Sequence, residues 1–215
     1  MADNTHVGST VSGLMAEIAG IGTDASRGGY SRPVYSSAEL ELREWFTAAA
    51  TDRSLDVECD RNGIIWAWWN PTGGAPLSDA VVTGSHLDSV PGGGAFDGPL
   101  GVASALNAVD ILRARNIEPA RPLALAVFPE EEGSRYGLAC LGSQLMTGGA
   151  VSVERAMGLT DADGTTFAEL AARNGLDPAH MGRDDERLSQ IGCFVELHVE
   201  QGRGLIDHGV ARRDR

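Results

Sequence analysis

Three short stretches of the chain concentrate side chains that hold cations and move protons. The first carries His86, Asp88 and Asp97 within residues 84–100, a segment too rich in Gly and Pro to be a helix or a long strand. The second is Glu130-Glu131-Glu132, followed at once by Gly133. The third holds Glu196, His198 and Glu200 at alternate positions. Imidazole and carboxylate ligands without clustered thiols suit Zn²⁺ or Mn²⁺. Each group alone has an ordinary reading: a hydrogen-bonded loop histidine, or a solvated run of charge. Context argues otherwise for the glutamates, because three adjacent like charges after an apolar run are costly unless a cation offsets them. A divalent cation acidifies water and polarises a carbonyl, and a neighbouring glutamate can take and return the proton. The chemistry these residues could do together is hydrolysis.

The elements that must position them are legible around each group. Ala80–Thr83 is a short apolar strand feeding the first. Leu123–Phe128 is a continuous apolar run, the pattern of a strand buried on both faces, and it feeds the second. Cys193–Val199 alternates and carries the third. Sites in open α/β sheets form outside the carboxyl ends of strands. Helical spacing is predicted over residues 11–19, from a Ser36/Glu39 capping box to about residue 50, over 101–114, over 137–146 and over 167–173. Leu55–Cys59 and Ile64–Trp69 read as a hairpin, with Asn62-Gly63 supplying the positive φ angles. Trp66, Trp68 and Trp69 fit a strand alternating between core and rim better than a stacking platform. Residues 71–76 and 150–164 read as loops. Strands alternating with helices predict an α/β domain with a largely parallel mixed sheet flanked by helices.

With 30 acidic and 17 basic residues the net charge is −13, and no basic stripe interleaved with aromatics is present. Nucleic acid and anionic membrane surfaces are therefore excluded as expected partners. The three cysteines, Cys59, Cys140 and Cys193, are far apart and form no CxxC pair, which fits free thiols in a reducing compartment. No basic-then-apolar leader opens the chain, and no apolar run approaches the ~20 residues of a membrane span. The expected location is cytoplasmic.

The motifs His-Leu-Asp-Ser-Val-Pro-Gly-Gly-Gly-Ala-Phe-Asp-Gly-Pro-Leu-Gly-Val (86–102), Pro-Glu-Glu-Glu-Gly-Ser-Arg-Tyr (129–136) and Glu-Leu-His-Val-Glu-Gln-Gly (196–202) resemble the hydantoinase/carbamoylase family of dinuclear metal amidohydrolases. The resemblance implies a zinc exopeptidase-like catalytic domain and two divalent ions, Zn²⁺ or Mn²⁺. It implies that Asp97 bridges the ions, that His86 and His198 complete one site, and that Glu132 binds the other ion. Glu131 becomes the general base, Asp88 the group that orients the His86 imidazole, and Gln201 a neighbour of the ureido group. The Asp97–Gly98 peptide is expected to be cis, and Glu130 is expected to be structural. The implied substrate is a small ureido compound, allantoate or an N-carbamoyl-L-amino acid, cleaved with release of ammonia and CO₂.

The resemblance covers the N-terminal part of the family's catalytic domain, residues 11–209. Residues 1–10 are expected to be disordered and 210–215 to be an atypical tail. The family's lid and dimerisation domain and a further His ligand are not in this sequence; the longer parent is expected to be a homodimer. Two rival readings stand beside the leading one. One is an aminoacylase or dipeptidase of the same wider group, which His198 disfavours because many peptidase relatives carry a carboxylate there. The other is a truncated, non-catalytic metal-binding fragment.

Overall fold

The strand β4 (Leu123–Phe128) is central to the structure, as its unbroken apolar run requires. In this computed structural model, residues 10–70, 77–200 and 205 are described. Expectations for residues 1–9 and 71–76, for Gln201 and for the tail 210–215 lie outside them. Thr10 lies inside, and it caps the first helix by accepting the Gly13 N–H at 3.1 Å.

Four further strands flank β4: β1 (Asp56–Cys59), β2 (Ile65–Trp69), β3 (Ala80–His86) and β5 (Ile191–Val195), in the order β1-β2-β4-β3-β5. β3 runs parallel to both β4 and β5. The β1–β2 and β2–β4 pairings are antiparallel, so the sheet is mixed and parallel pairing is confined to β4-β3-β5. A short turn can only join antiparallel neighbours, and residues 60–64 form such a turn. Asp60 organises it: Oδ1 accepts the N–H groups of Asn62 and Ile64 at 2.8 and 3.0 Å, and Oδ2 accepts the Trp66 indole at 2.9 Å. Only Gly63 takes a positive φ there, 82°; Asn62 instead spends its amide on both backbone groups of Gly182.

Helices α1 (Val11–Glu17), α2 (Ser37–Asp52) and α3 (Pro99–Ala114) cover one face of the sheet. Leu14, Ile18, Leu42, Phe46, Leu106 and Val109 meet Leu125 and Val127 there. On the other face Trp66 and Trp68 are buried with Val82 and Ala126, beneath Met146 of α4 (Leu141–Thr147) and Leu188. These two indoles stack at 5.8 Å, and Arg187 lies 4.9 Å over Trp66. The expected alternation between core and rim does not hold along β2: Ile65 to Trp68 are all buried, because helices cover one face and α4 the other, and only Trp69 at the strand end is partly exposed.

Four departures from the sequence pattern matter for the site. The helix expected from residue 137 begins at Leu141, because Cys140 adopts φ 58° and the preceding residues form a turn. The 150–164 stretch contains α5 (Val153–Met157), ahead of α6 (Phe167–Arg173). A further helix, α7 (Asp185–Gln190), opens on Asp184, whose side chain accepts the Arg187 N–H at 3.0 Å. The third strand ends at Val195, so His198 lies beyond it, and β5 forms a sheet edge on which Phe194 and Val195 are exposed. No peptide among the described residues is cis, so the Asp97–Gly98 bond is trans.

Candidate metal centre

The carboxyl ends of β4, β3 and β5 lie side by side, and each delivers one of the three polar groups. His86 is the last residue of β3 and is 1% exposed. Its Nδ1 lies 2.9 Å from the backbone carbonyl of Asp88. Its ring rests on Gly98, where φ is 82° and a Cβ would sit 2.6 Å from Nδ1. Asp97 precedes Gly98, the N-cap of α3, so its carboxylate sits at the positive end of a helix that starts on Pro99. His198 is 38% exposed at its side chain, and its Nδ1 lies 2.8 Å from the carbonyl of Val199.

These contacts fix the tautomers. A carbonyl oxygen can only accept, so both Nδ1 atoms carry a hydrogen, and in a neutral imidazole that leaves Nε2 as an acceptor. The two Nε2 atoms face each other at 3.3 Å. Asp97 Oδ1 lies 3.3 Å from Nε2 of His198 and 4.0 Å from that of His86. Two lone pairs and a carboxylate repel unless a proton or a cation lies among them. The ligand atoms of His86, Asp97 and His198 all fall within 4.8 Å of one another, an N₂O set that fits a borderline divalent cation.

The glutamates arrive on a tight turn rather than an extended segment. Glu130 has φ 51°, and the carbonyls of Glu130 and Glu131 accept from Leu141 N and Cys140 N at 3.1 and 2.7 Å. This turn sends the three carboxylates to different neighbours. Glu130 is buried and structural, accepting Arg135 N and Tyr136 N at 3.0 and 2.7 Å through Oε1. Glu131 is about a third exposed, with Oε2 3.6 Å from His86 Nε2 and Oε1 3.5 Å from the Cys140 thiol. The Glu132 carboxyl hydrogen-bonds that of Asp97.

Asp88 acts differently from the expectation. Its backbone carbonyl orients His86, while its carboxylate, 3.8 Å from Nδ1, accepts Glu131 N and Glu132 N at 3.1 Å each. The carboxylate therefore clamps the glutamate turn to the histidine loop. Burial pushes Asp88 up to about 7 in spite of those two N–H groups. Burial likewise raises Glu130 to about 7, and burial together with the Asp97 carboxyl raises Glu132 to about 7. Burial and the Glu131 carboxylate lift the Cys140 thiol to about 11. Raised carboxyls crowded at one point are what a cation would reverse.

The N-terminal segment braces the same loop. Arg32 N donates to Ser89 Oγ and Ser89 N to the Arg32 carbonyl, each at 3.0 Å, while Tyr30 and Gly93 exchange backbone bonds. The structure thus unites His86, Asp88, Asp97, Glu131, Glu132 and His198, while Gln201 lies outside the described residues. Cys140 and Gly98 belong to the site, although from the sequence Cys140 is expected only as a free thiol and Gly98 only as the partner in a cis peptide. Gly98 carried a signal, a glycine directly after an acidic ligand; Cys140 carried none.

The chain resembles known proteins over most of its length. The profile of Peptidase family M28 matches residues 65–164. An N-carbamoyl-L-amino acid amidohydrolase of Geobacillus stearothermophilus is 31% identical over 91% of this chain and 47% of its own length. A ureidoglycolate hydrolase of Arabidopsis thaliana is 33% identical over 87% of this chain and 40% of its own length. An allantoate amidohydrolase of Escherichia coli K12 is 29% identical over 95% and 48%. Among solved structures, a hydantoinase/carbamoylase family amidase of Burkholderia vietnamiensis superposes with a TM-score of 0.79 and 30% identity over 93% of this chain and 46% of that one. The chain spans about half the length of the relatives it matches. No helix among the described residues is long and apolar enough to cross a membrane.

Proposed function

We propose, for a chain that belongs to the hydantoinase/carbamoylase family and matches its N-terminal part, that it carries the metal centre and general base of an amidohydrolase acting on linear ureido C–N bonds. The observation that carries this reading is the opposed pair of Nε2 atoms, 3.3 Å apart, beside the Asp97 carboxylate. His86, Asp97 and His198 would hold one divalent ion; Asp97 and Glu132 would contribute to a second. Zn²⁺ and Mn²⁺ both suit these ligands. Such ions, when bound, supply Lewis acidity toward the scissile carbonyl and the attacking water.

Glu131 takes the proton from that water and returns it to the departing nitrogen. Its carboxylate is partly exposed, so it can meet a substrate, yet it stays 3.6 Å from His86 Nε2. Asp88 fixes the turn on which Glu131 and Glu132 sit. The thiol of Cys140 donates to Glu131 and limits its swing. We assign Gln201 to the ureido group of the substrate through its motif. The names of the relatives support a carbamoyl amino acid, allantoate or ureidoglycolate as the substrate class.

Calorimetric titration of Zn²⁺ and Mn²⁺ into the 215-residue chain, with ammonia release from each of these compounds, tests the proposal. Binding with turnover on a ureido substrate is the expected result. Absence of binding by both ions would overturn the metal centre. Preference for N-acyl amino acids or dipeptides would favour the aminoacylase reading. Binding without turnover would overturn catalysis by this chain and leave a metal-binding role.

A further inference from the structure

His198 is the ligand that the sheet does not hold. β5 pairs with β3 as far as Val195 opposite Thr83. Counting on in that register would set His198 beside His86, and there the two imidazoles are found, with ring centroids 5.5 Å apart. His86 is fixed by its strand and by burial, whereas His198 is on an exposed segment beyond the ladder. Something other than ladder bonds must set its position.

Ser85, immediately before His86, is buried and donates its hydroxyl to Glu196 Oε1 at 2.6 Å. Glu196 lies two residues before His198. This short bond has the length of a hydroxyl donating to an ionised carboxylate, the stronger class of neutral–charged hydrogen bond. The same junction is close-packed on its other side. A Cβ at Gly101, in the first turn of α3, would sit 2.7 Å from Ser85 Cβ and 2.6 Å from the Leu197 carbonyl oxygen. Only a residue without a side chain lets α3, Ser85 and the 196–198 backbone approach so closely. An exposed glutamate is ordinarily a solvated surface group; here its carboxylate reaches back to a buried hydroxyl next to a metal ligand.

We propose that Glu196 is a positioning residue, whose hydrogen bond to Ser85 holds the segment beyond β5 so that His198 Nε2 meets His86 Nε2. Its consequence for metal affinity rests on the metal-centre reading above; its consequence for the geometry of the two rings does not.

The test uses the 215-residue chain with Glu196→Ala, Ser85→Ala, the double variant and Glu196→Gln. Zn²⁺ affinity is read by calorimetry, and the contact between the His86 and His198 ring protons is read by nuclear Overhauser effect in the metal-free chain. Each alanine variant is expected to weaken Zn²⁺ binding about 10- to 100-fold, the usual cost of losing a group that orients a ligand. The double variant is expected to add nothing to either single one, because both remove the same bond. Glu196→Gln keeps an acceptor oxygen and is expected to restore binding and the ring contact. Unchanged affinity in Glu196→Ala overturns the proposal. If the unsubstituted chain binds no Zn²⁺, the metal-centre reading fails and the ring contact decides: its loss in Glu196→Ala supports the positioning role, its persistence overturns it. Should Ser85→Ala fail to fold, the two Glu196 variants decide by the same criteria, since that side chain is exposed.

Discussion

Asp88 Oδ2 accepts the backbone N–H of Glu132 at 3.1 Å, so the residue two places after one candidate ligand fixes the backbone of another that lies 44 positions away. Oδ1 does the same for Glu131. One buried carboxylate thereby couples the β3 loop to the turn after β4. The spacing between His86, Glu131 and Glu132 depends on it more than on either loop alone.

Asp88→Asn tests that coupling. The amide nitrogen cannot accept, so one buried N–H loses its partner, at a cost of about 1–3 kcal/mol. The expected outcome is a lower midpoint in chemical denaturation together with Zn²⁺ affinity weakened about 10- to 100-fold. Full affinity with unchanged stability would show that the clamp is idle.

The metal-free chain is expected to lose stability as pH rises from about 4 to about 7. Unfolded carboxyls release their protons near 4, while Asp88, Glu130 and Glu132 in the folded chain hold theirs up to about 7. Over that window the folded state binds more protons, so its stability is greatest at the acid side, falls with rising pH, and levels off once the three folded groups have ionised above about 7. Melting temperature against pH in the presence of a chelator measures this. A melting temperature that climbs from pH 5 to pH 8 without metal would contradict it.

Saturating Zn²⁺ is expected to raise the melting temperature, since a ligand bound only by the folded state stabilises it by about 2.7 kcal/mol at a hundred times its dissociation constant. His86→Ala removes the buried nitrogen ligand and should abolish the increment, with metal content after dialysis falling in parallel. A full Zn²⁺ increment in His86→Ala would place the ion elsewhere.

Glu131→Gln separates proton transfer from metal holding. The side chain lies beside the nitrogen cluster without joining it, so calorimetry should return near-normal Zn²⁺ affinity. In any form of the chain that releases ammonia, turnover should fall about 10²- to 10⁴-fold, the usual contribution of a general base. Retained turnover would assign the proton transfer to another group.

The sequence by itself determined which residue types meet and roughly where. The apolar run 123–128 could only be a central strand, and it is β4. Helical spacing over 101–114 produced α3, which starts two residues earlier at Pro99, and the 60–63 turn chemistry produced the β1–β2 hairpin. His86, Asp97 and His198 were legible as candidate ligands only through the family resemblance of their motifs, because a lone loop histidine or carboxylate has an ordinary hydrogen-bonded reading. These signals are local: residue periodicity encodes which side of an element is buried, and turn residues encode where the chain reverses.

The tertiary structure decided the partners. Whether the Asp88 carboxylate would face the His86 ring or the 131–132 backbone depended on a turn at Glu130 with φ 51°, which no local pattern signals. The bond from Ser85 to Glu196, across 111 residues, exists only because β5 aligns against β3. Cys140 reached Glu131 through the same turn. A buried polar group must find a hydrogen-bond partner, but which one it finds is set by the loops that the completed sheet brings together.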